Sequence, residues 1–428
     1  MLIPLGGTFT GPSRGAGAPA KEEAEQNVAM NLDVARIRSD FPALDQGISY
    51  FDGPGGTQVP RQVADAIAAT MTSGLSNRGA VTLSERRAEE VVVAARRAVA
   101  DLLGCDAGGV VFARSMTQAT YDMSRALAKQ WAPGDQVVVT RLDHDSNIRP
   151  WVQAAESSGA EVRWVEFDRS TADLTVDDVR AQLSERTKVV AVTGASNVLG
   201  TRPDIAGIAE AVHDAGALLY VDGVHLTPHA PVDVVELGAD FYACSPYKFF
   251  GPHHGILAAD PALLERVHPD KLLPATDDVP ERFELGTLPY EILAGTTAAV
   301  DFIAGLASDA PDRRTRLLES MRAVEEYEDQ LFDRLLEGLN GINGVRLHGS
   351  PKRRTPTVFF SVGDRSGREV YEHLATVGVN APASSFYALE ASRWIGLGDT
   401  GAVRAGLAPY SSLEDVERLL AGVAEVAR

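Results

Sequence analysis

The stretch Ala217-Leu218-Leu219-Tyr220-Val221-Asp222 is followed along the chain by Asp240-Phe241-Tyr242-Ala243-Cys244-Ser245-Pro246-Tyr247-Lys248. Each stretch contains a short apolar run, which is typical of a buried strand, and each ends in polar residues. In an α/β sheet, ligands bind in the crevice beyond the carboxyl ends of the strands. The two stretches therefore predict that a carboxylate, Asp222, and an amine, Lys248, meet at one edge of a sheet.

This pair of groups suits pyridoxal 5′-phosphate. The lysine amine forms a Schiff base with the cofactor aldehyde, and the carboxylate keeps the pyridine nitrogen protonated, so that the ring can accept electrons. Taken alone, a lysine after a strand is more often a surface residue, and Asp222 can equally cap a turn. The aromatic and turn-forming residues at 245–252 favour the functional interpretation of Lys248.

Composition excludes several classes of protein. The 428 residues are 45% hydrophobic, which is enough for two packed domains. A net charge of −19 argues against a nucleic-acid partner. No apolar stretch reaches the ~20 residues of a membrane helix. The two cysteines form no disulfide framework or metal-ligand spacing, which fits a reducing cytoplasm.

Strand and helix signals alternate along the first two thirds of the chain. Strands are predicted at residues 110–113, 136–140, 161–166, 189–193, 218–222, 241–245 and 255–258. Helices are predicted at residues 61–70, 84–103, 118–130, 176–183 and 205–215. Such alternation indicates an α/β fold with a mostly parallel seven-stranded sheet covered on both faces. The connection between the last two strands is too short for a crossover helix, so one of them should run antiparallel.

The composition of the sequence and its pattern of predicted elements change at both ends of this region. Residues 1–30 are rich in Gly, Pro and Ala and are interpreted as a disordered tail, or else as an arm on a partner subunit. Residues 31–50 should pack on a small domain, and residues 51–295 should form the large cofactor-binding domain. Residues 296–428 should form a smaller C-terminal α+β domain, with helices at 296–307, 311–339, 367–376 and 412–427 and strands at 345–347 and 357–362.

Two further motifs follow predicted strands. Ser115-Met116-Thr117 opens a helix, where backbone N–H groups and hydroxyls can bind a phosphate, although an ordinary helix cap explains it as well. In Asp143-His144-Asp145, the imidazole of His144 could stack flat on the pyridine ring. A metal site at these three residues is the alternative. We assign no metal, because neighbours in sequence rarely converge on one ion.

Five ordered segments together carry a resemblance to a known family. They are Phe51-Asp52-Gly53-Pro54-Gly55-Gly56-Thr57, Asp143-His144-Asp145-Ser146-Asn147, Ser196-Asn197-Val198-Leu199-Gly200-Thr201, Asp222-Gly223-Val224-His225 and Ser245-Pro246-Tyr247-Lys248-Phe249-Phe250-Gly251-Pro252. From about Val34 to its C-terminus the chain resembles the class V aminotransferases, which are fold-type I pyridoxal phosphate enzymes. More narrowly, it resembles their cysteine-desulfurase-like branch.

The resemblance implies a role for each matched residue near the cofactor. Lys248 would carry the cofactor and move the α-proton of an amino-acid substrate, Asp222 would pair with the ring nitrogen, and His144 would stack on the ring. The other implied cofactor-binding residues are Met116, Thr117, Asn197, His225, Ser245, Tyr247 and Thr287. Within that set, Thr117, Ser245 and Tyr247 would hold the cofactor phosphate. Asn197 and His225 would lie near the phenolic oxygen of the cofactor.

The resemblance also implies substrate contacts and a partner. Arg404 would bind the α-carboxylate through a bidentate contact, with Asn197, Arg78 and Tyr387 nearby. Thr287 would reach the phosphate of a neighbouring subunit, which implies a homodimer with shared active sites.

One departure from the family bears on the reaction. Desulfurases carry a nucleophilic cysteine on a loop that corresponds to residues 378–388, but no cysteine occurs after Cys244, and Tyr387 takes the thiol position. Because persulfide formation needs a thiolate, we predict a C–S lyase-like β-elimination with Tyr387 and Ser385 as acids. The alternatives are an aminotransferase, an amino-acid epimerase or racemase, and a non-enzymatic pyridoxal-phosphate-bound regulatory subunit.

Overall fold

A computed structural model describes residues 32–428 of the chain. The tail predicted at residues 1–30 lies outside these residues. Within the described part, no helix combines the length and the apolar character needed to cross a bilayer.

The bounds of the regular elements follow in chain order. The strands are β1 (Ser49–Tyr50), β2 (Val110–Ala113), β3 (Gln136–Thr140), β4 (Glu161–Val165), β5 (Thr187–Thr193), β6 (Leu218–Asp222), β7 (Phe241–Cys244), β8 (Gly255–Ala259), β9 (Val345–Leu347), β10 (Thr357–Val362), β11 (Val379–Asn380), β12 (Ala383–Ser384) and β13 (Ala402–Gly406). The helices are α1 (Val34–Ser39), α2 (Arg61–Met71), α3 (Leu83–Leu103), α4 (Met116–Ala128), α5 (Arg149–Ser158), α6 (Val176–Arg180), α7 (Ile205–Asp214), α8 (Pro261–Leu264), α9 (Tyr290–Ala304), α10 (Arg313–Asn340), α11 (Gly367–Thr376), α12 (Leu389–Trp394) and α13 (Leu413–Val426). Short 3-10 helices occur at Pro42–Gln46, Gly53–Gly55, Ala107–Gly109, Asp145–Asn147, Pro246–Lys248 and Glu281–Phe283.

The large sheet has seven strands in the order β2-β8-β7-β6-β5-β3-β4. All neighbours pair in parallel except β8, which runs antiparallel to both β7 and β2. The predicted α/β fold with a mostly parallel seven-stranded sheet is confirmed. The antiparallel pairing predicted for the strands at residues 241–245 and 255–258 is confirmed as well. Because β2 and β7 are each antiparallel to β8, the strands other than β8 all end at the same edge.

Strand β5 shows why this sheet is covered on both faces. Val190 and Val192 pack into one buried apolar cluster, whereas Val189 and Ala191 pack into a second one. Successive side chains of a strand point to opposite faces, so a continuous apolar run requires helices on both sides.

A second sheet, with the order β12-β13-β10-β9, is antiparallel throughout. Strand β1 pairs in parallel with β11. Near β1, the Ser49 hydroxyl donates to Asp415 of α13 at 2.7 Å, and Arg38 of α1 forms an ion pair with the same carboxylate at 2.8 Å. These contacts join the N-terminal segment to the last helix of the chain.

Three of the differences between the sequence pattern and the structure have a clear physical cause. The predicted domain boundary at residues 295 and 296 falls inside α9, because Gly295 does not break the helix but lets it approach α2 closely; a Cβ there would lie 2.7 Å from Ile67. The pattern does not predict α5, whose Pro150 is tolerated because it lies in the first helical turn. It also does not predict β13, because Arg404 interrupts the apolar run although it is buried.

Candidate active site

The carboxyl ends of the large sheet surround a pocket, called the inner pocket below. Asp222 ends β6, Thr193 ends β5 directly beside it, and Ser245 follows β7. The lining residues are Ser115, Met116, Thr117, His144, Ser146, Thr193, Ala195, Asn197, Asp222, Val224, His225, Ser245, Tyr247 and Lys248. The topology therefore brings together every cofactor-binding residue that the sequence predicts, except Thr287.

Lys248 lies at the end of the 3-10 turn after β7 and is only 7% exposed. Its Nζ donates to the carbonyl of Pro54. Burial, together with the nearby Arg404 guanidinium, lowers the pKa of the Lys248 amine to about 7, although Asp222 acts in the opposite direction. Near neutral pH a large fraction of this amine is therefore unprotonated, which a nucleophile or a base requires.

Asp222 is a buried carboxylate that accepts a hydrogen bond from the backbone N–H of Val224 at 3.0 Å. Burial raises the pKa of Asp222 to about 6, and this hydrogen bond and Lys248 oppose the rise only in part. A carboxylate in this position is stabilised by a cation that meets it in the pocket. A protonated pyridine nitrogen is such a cation.

His144 presents a neutral ring to the same pocket. Its Nδ1 accepts from the backbone N–H of Ser146 at 3.1 Å, which fixes the ring orientation. Burial, followed by the charges of Lys248 and Arg404, lowers the pKa of His144 to about 3. The Tyr387 ring stacks on it with centroids 5.4 Å apart.

Asp143 has a structural part in the site that sequence reasoning missed. It is fully buried, accepts from the Asn147 amide at 2.7 Å and from the Thr140 hydroxyl, and burial raises its pKa well above the usual value. These bonds anchor the loop that carries His144. Asp145 instead pairs with Arg149, so the two acids beside His144 have separate partners.

Two buried polar atoms at the inner pocket have no partner among residues 32–428: Asn197 Oδ1 and His225 Nδ1. The Asn197 amide donates to the Phe386 carbonyl at 3.0 Å, and His225 Nε2 lies 3.0 Å from the Thr357 hydroxyl. Buried polar groups are nearly always hydrogen-bonded. With Asp222 and Lys248, these free atoms fit a polar aromatic cofactor such as pyridoxal phosphate.

Another part of the inner-pocket lining suits a phosphate group. Met116 and Thr117 form the first turn of α4, which Ser115 caps by accepting from the Gln118 N–H at 3.1 Å. Ser245 and Tyr247 line the same pocket. Hydroxyls beside a helix N-terminus stabilise an anion, so the phosphate-binding roles stay a prediction with suitable chemistry.

A wider cavity adjoins the inner pocket and is called the outer cavity below. It has a volume of about 640 Å³, within the range of small-molecule sites. Its lining residues are Pro54, Gly55, Thr117, Tyr121, His144, Asp145, Ser146, Arg149, Asn197, Tyr247, Lys248, Ser384, Phe386, Tyr387 and Arg404. Tyr121 and Arg149 are included although no sequence motif indicates them.

Arg404 is the buried cation of the outer cavity. Its guanidinium lies 3.7 Å from the ring centroid of Phe386 and donates to the Asn197 carbonyl at 3.1 Å. Its Nε has no partner among the described residues, and burial lowers its pKa to about 9. A substrate carboxylate would supply the missing acceptor.

The loop around Phe386 and Tyr387 forms one wall of the outer cavity. Both residues have positive φ, 51° and 58°. The Tyr387 carbonyl accepts from the Asp145 N–H at 2.7 Å, while the Tyr387 side chain is 75% exposed. Ser384 lines the cavity, whereas Ser385, the serine predicted as an acid, does not.

Two predicted site residues, Arg78 and Thr287, line neither the inner pocket nor the outer cavity among the described residues. Arg78 forms ion pairs with Glu89 at 2.8 Å and Glu281 at 3.1 Å. Thr287 lines a separate cavity with Leu285, whose side chain is 53% exposed. Their active-site roles stay predictions that need a second subunit.

The two cysteines also lie outside both spaces. Cys244 is buried in β7 and Cys105 is partly buried after α3. Burial raises the pKa of both thiols, to about 12 for Cys105. Neither provides a reactive thiolate at the site.

The sequence profile of the family described as Aminotransferase class-V matches residues 49–419. This chain belongs to the class-V aminotransferase family. A cysteine desulfurase of Yersinia pestis is 30% identical, with 93% of this chain and 99% of that protein covered. An uncharacterized protein of Mycobacterium tuberculosis is 34% identical, with 93% and 100% covered.

A crystal structure of the cysteine desulfurase CsdA from Escherichia coli superposes with a TM-score of 0.80 at 26% identity, covering 92% of this chain and 98% of that one. The resemblance to the cysteine-desulfurase-like branch is thereby confirmed. The class-V aminotransferase described here is a pyridoxal-phosphate-dependent enzyme with the fold-type I architecture.

Proposed function

We propose that this class-V aminotransferase catalyses β-elimination from an S-substituted cysteine, releasing a thiol, pyruvate and ammonia. The observation that carries the proposal is the loop position at which desulfurases have cysteine: here it is Tyr387, which lines the outer cavity and stacks on His144. A phenol cannot take sulfur from a substrate, but it can give a proton to a departing thiolate.

Binding in the outer cavity would orient the substrate. We assign the α-carboxylate to Arg404, whose buried guanidinium has an unsatisfied Nε–H. Asn197 supports that arginine through its carbonyl. This arrangement directs the substrate amine towards Lys248 and leaves the substrate side chain facing the loop that carries Tyr387.

Proton movements would follow from the site electrostatics. Pyridoxal phosphate, when bound, supplies an electron sink for negative charge at the α-carbon. Lys248, whose pKa is lowered to about 7 by burial, can accept the α-proton near neutral pH. As the C–S bond breaks, the electron pair leaves with sulfur and Tyr387 donates a proton to it. The released enamine then hydrolyses in water to pyruvate and ammonia.

The test incubates the holoenzyme with an S-alkyl-cysteine and follows pyruvate, ammonia and free thiol. Equal amounts of all three are expected. The keto acid of the intact, sulfur-containing substrate would indicate an aminotransferase and would overturn the proposal. Loss of optical activity of the substrate without release of pyruvate would also overturn the proposal and would indicate an epimerase or racemase. Alanine and sulfide from free cysteine would restore the desulfurase assignment.

We also propose that the enzyme works as a homodimer with shared sites. Arg78 and Thr287 do not line the outer cavity of their own chain, and the exposed Leu285 beside Thr287 suits a subunit contact. The test mixes inactive Lys248→Ala and Thr287→Val subunits. Because one site of each mixed dimer is intact, about a quarter of wild-type activity should return. No recovery, with mixed dimers demonstrated by mass spectrometry, would refute sharing through Thr287.

A further inference from the structure

The outer cavity contains a second guanidinium besides that of Arg404. Arg149, the first residue of α5, lines the cavity, and its side chain is 37% exposed. Its Nη2 forms an ion pair with Asp145 at 3.0 Å. The structure gives its Nη1 no partner among residues 32–428. This atom is therefore free to donate to a ligand in the cavity.

The charge of the outer cavity contrasts with that of the whole chain. The protein carries a net charge of −19, yet the outer cavity is lined by three basic side chains, Arg149, Arg404 and Lys248, and by a single carboxylate, Asp145. A cleft with an excess of one sign of charge concentrates ligands of the opposite sign. Arg404 is deeply buried and is assigned to the α-carboxylate, so Arg149 remains for another anionic group.

We propose that Arg149 is a specificity-determining residue that selects amino-acid substrates whose side chain ends in an anionic group. The inference rests on the proposed function, since that fixes the α-carboxylate on Arg404 and leaves the side chain facing the loop that carries Tyr387. Arg149 is linked to that loop through Asp145, whose carboxylate pairs with Arg149 at 3.0 Å and whose backbone N–H donates to the Tyr387 carbonyl at 2.7 Å. A carboxylate there would accept from Nη1 while Asp145 keeps Nη2 oriented.

The test compares two ligands of nearly equal shape, S-carboxymethyl-cysteine, which is anionic, and S-carbamoylmethyl-cysteine, which is neutral. Their dissociation constants are measured by calorimetry in cofactor-loaded Lys248→Ala protein, where turnover is blocked. We expect about fivefold tighter binding of the anionic ligand, since the contact is half exposed. Raising the salt concentration should weaken this preference.

Variants then assign the preference to the guanidinium. Arg149→Met should abolish it, Arg149→Lys should retain part of it, and Asp145→Asn should increase it by removing the competing carboxylate. Arg125→Met is the matched control, because Arg125 also pairs with an acid one helical turn away, at 3.6 Å, but does not line the cavity. Equal affinity for both ligands, or a preference that survives Arg149→Met, overturns the inference.

This readout separates the two proposals. Binding in the Lys248→Ala background does not depend on which reaction follows. If the charge preference is present but wild-type enzyme releases no pyruvate, only the β-elimination fails. If pyruvate is released without a charge preference, only the role of Arg149 fails.

Discussion

The inner pocket and the outer cavity are adjacent, but they are built in different ways. Inner-pocket residues such as Asp222 and Thr193 are fixed by the hydrogen-bond register of a buried parallel sheet. The outer cavity depends on a loop with left-handed residues at Phe386 and Tyr387 and a mostly exposed phenol. The comparison teaches that the proposed cofactor contacts reside at the strand ends of the sheet, whereas the loop that we propose sets the reaction outcome can change without disturbing the core.

The largest expected effect tests the inner pocket. Lys248→Ala should lower turnover by at least about 10³-fold, since it removes the proposed proton acceptor. It should also abolish the covalent adduct between lysine and cofactor that borohydride reduction traps and mass spectrometry detects. Lys188→Ala, which changes a half-exposed lysine of β5, is the control. Substantial activity in Lys248→Ala would show that the inner pocket is not the active site.

A second prediction concerns the buried carboxylate of Asp222 in the cofactor-free protein. Burial raises the pKa of Asp222 from 3.8 to about 6 in the folded protein. A raised carboxyl pKa favours folding at low pH, and this contribution is lost as pH rises through about 6. Between about pH 4 and about pH 8, cofactor-free wild type should therefore lose about 2 kcal/mol of unfolding free energy relative to Asp222→Asn.

Denaturant unfolding at the two pH values measures this difference. Asp214→Asn, at the end of α7, provides the control. Parallel pH profiles for wild type and Asp222→Asn would mean that the carboxylate is already neutralised in the cofactor-free protein.

A third prediction concerns Arg404, the buried guanidinium of the outer cavity. Arg404→Lys should raise KM for a cysteine conjugate by about 20-fold with less effect on kcat, because an ammonium cannot make the two parallel hydrogen bonds of a guanidinium. Steady-state kinetics measure the split. Arg393→Lys, in a surface pair with Asp399 at 2.7 Å, should behave as wild type. An unchanged KM for Arg404→Lys would exclude it as the carboxylate site.

The smallest effect is expected in the outer cavity. Tyr387→Phe should lower kcat for elimination by about tenfold and leave KM nearly unchanged, because a thiolate is a good leaving group and needs little help from an acid. Tyr371→Phe, on the exposed side of α11, controls for loss of a phenol elsewhere. If Tyr387→Phe matches wild type, the proton comes from another group and the outer cavity loses its proposed acid.

The sequence predicted the inner pocket better than the outer cavity. Short apolar runs that end in Asp222 and before Ser245 carry the strand signal and the chemistry together, so their positions follow from sheet topology. Asp143 was missed as an anchor, since its partners Thr140 and Asn147 are visible only when the loop is folded. Arg149 was missed because its neighbours in the cavity come from distant parts of the chain.

The sequence by itself determined the seven strands of the large sheet, the amine and the acid at the strand ends, and the absence of a loop cysteine. These properties depend on local periodicity and residue type. Only the tertiary structure decided that Arg149 and Arg404 share a cavity, that Asn197 and His225 present free polar atoms to the pocket, and that Ser384, not Ser385, lines the outer cavity. Those relations depend on the packing of segments far apart in the chain, which no local pattern encodes.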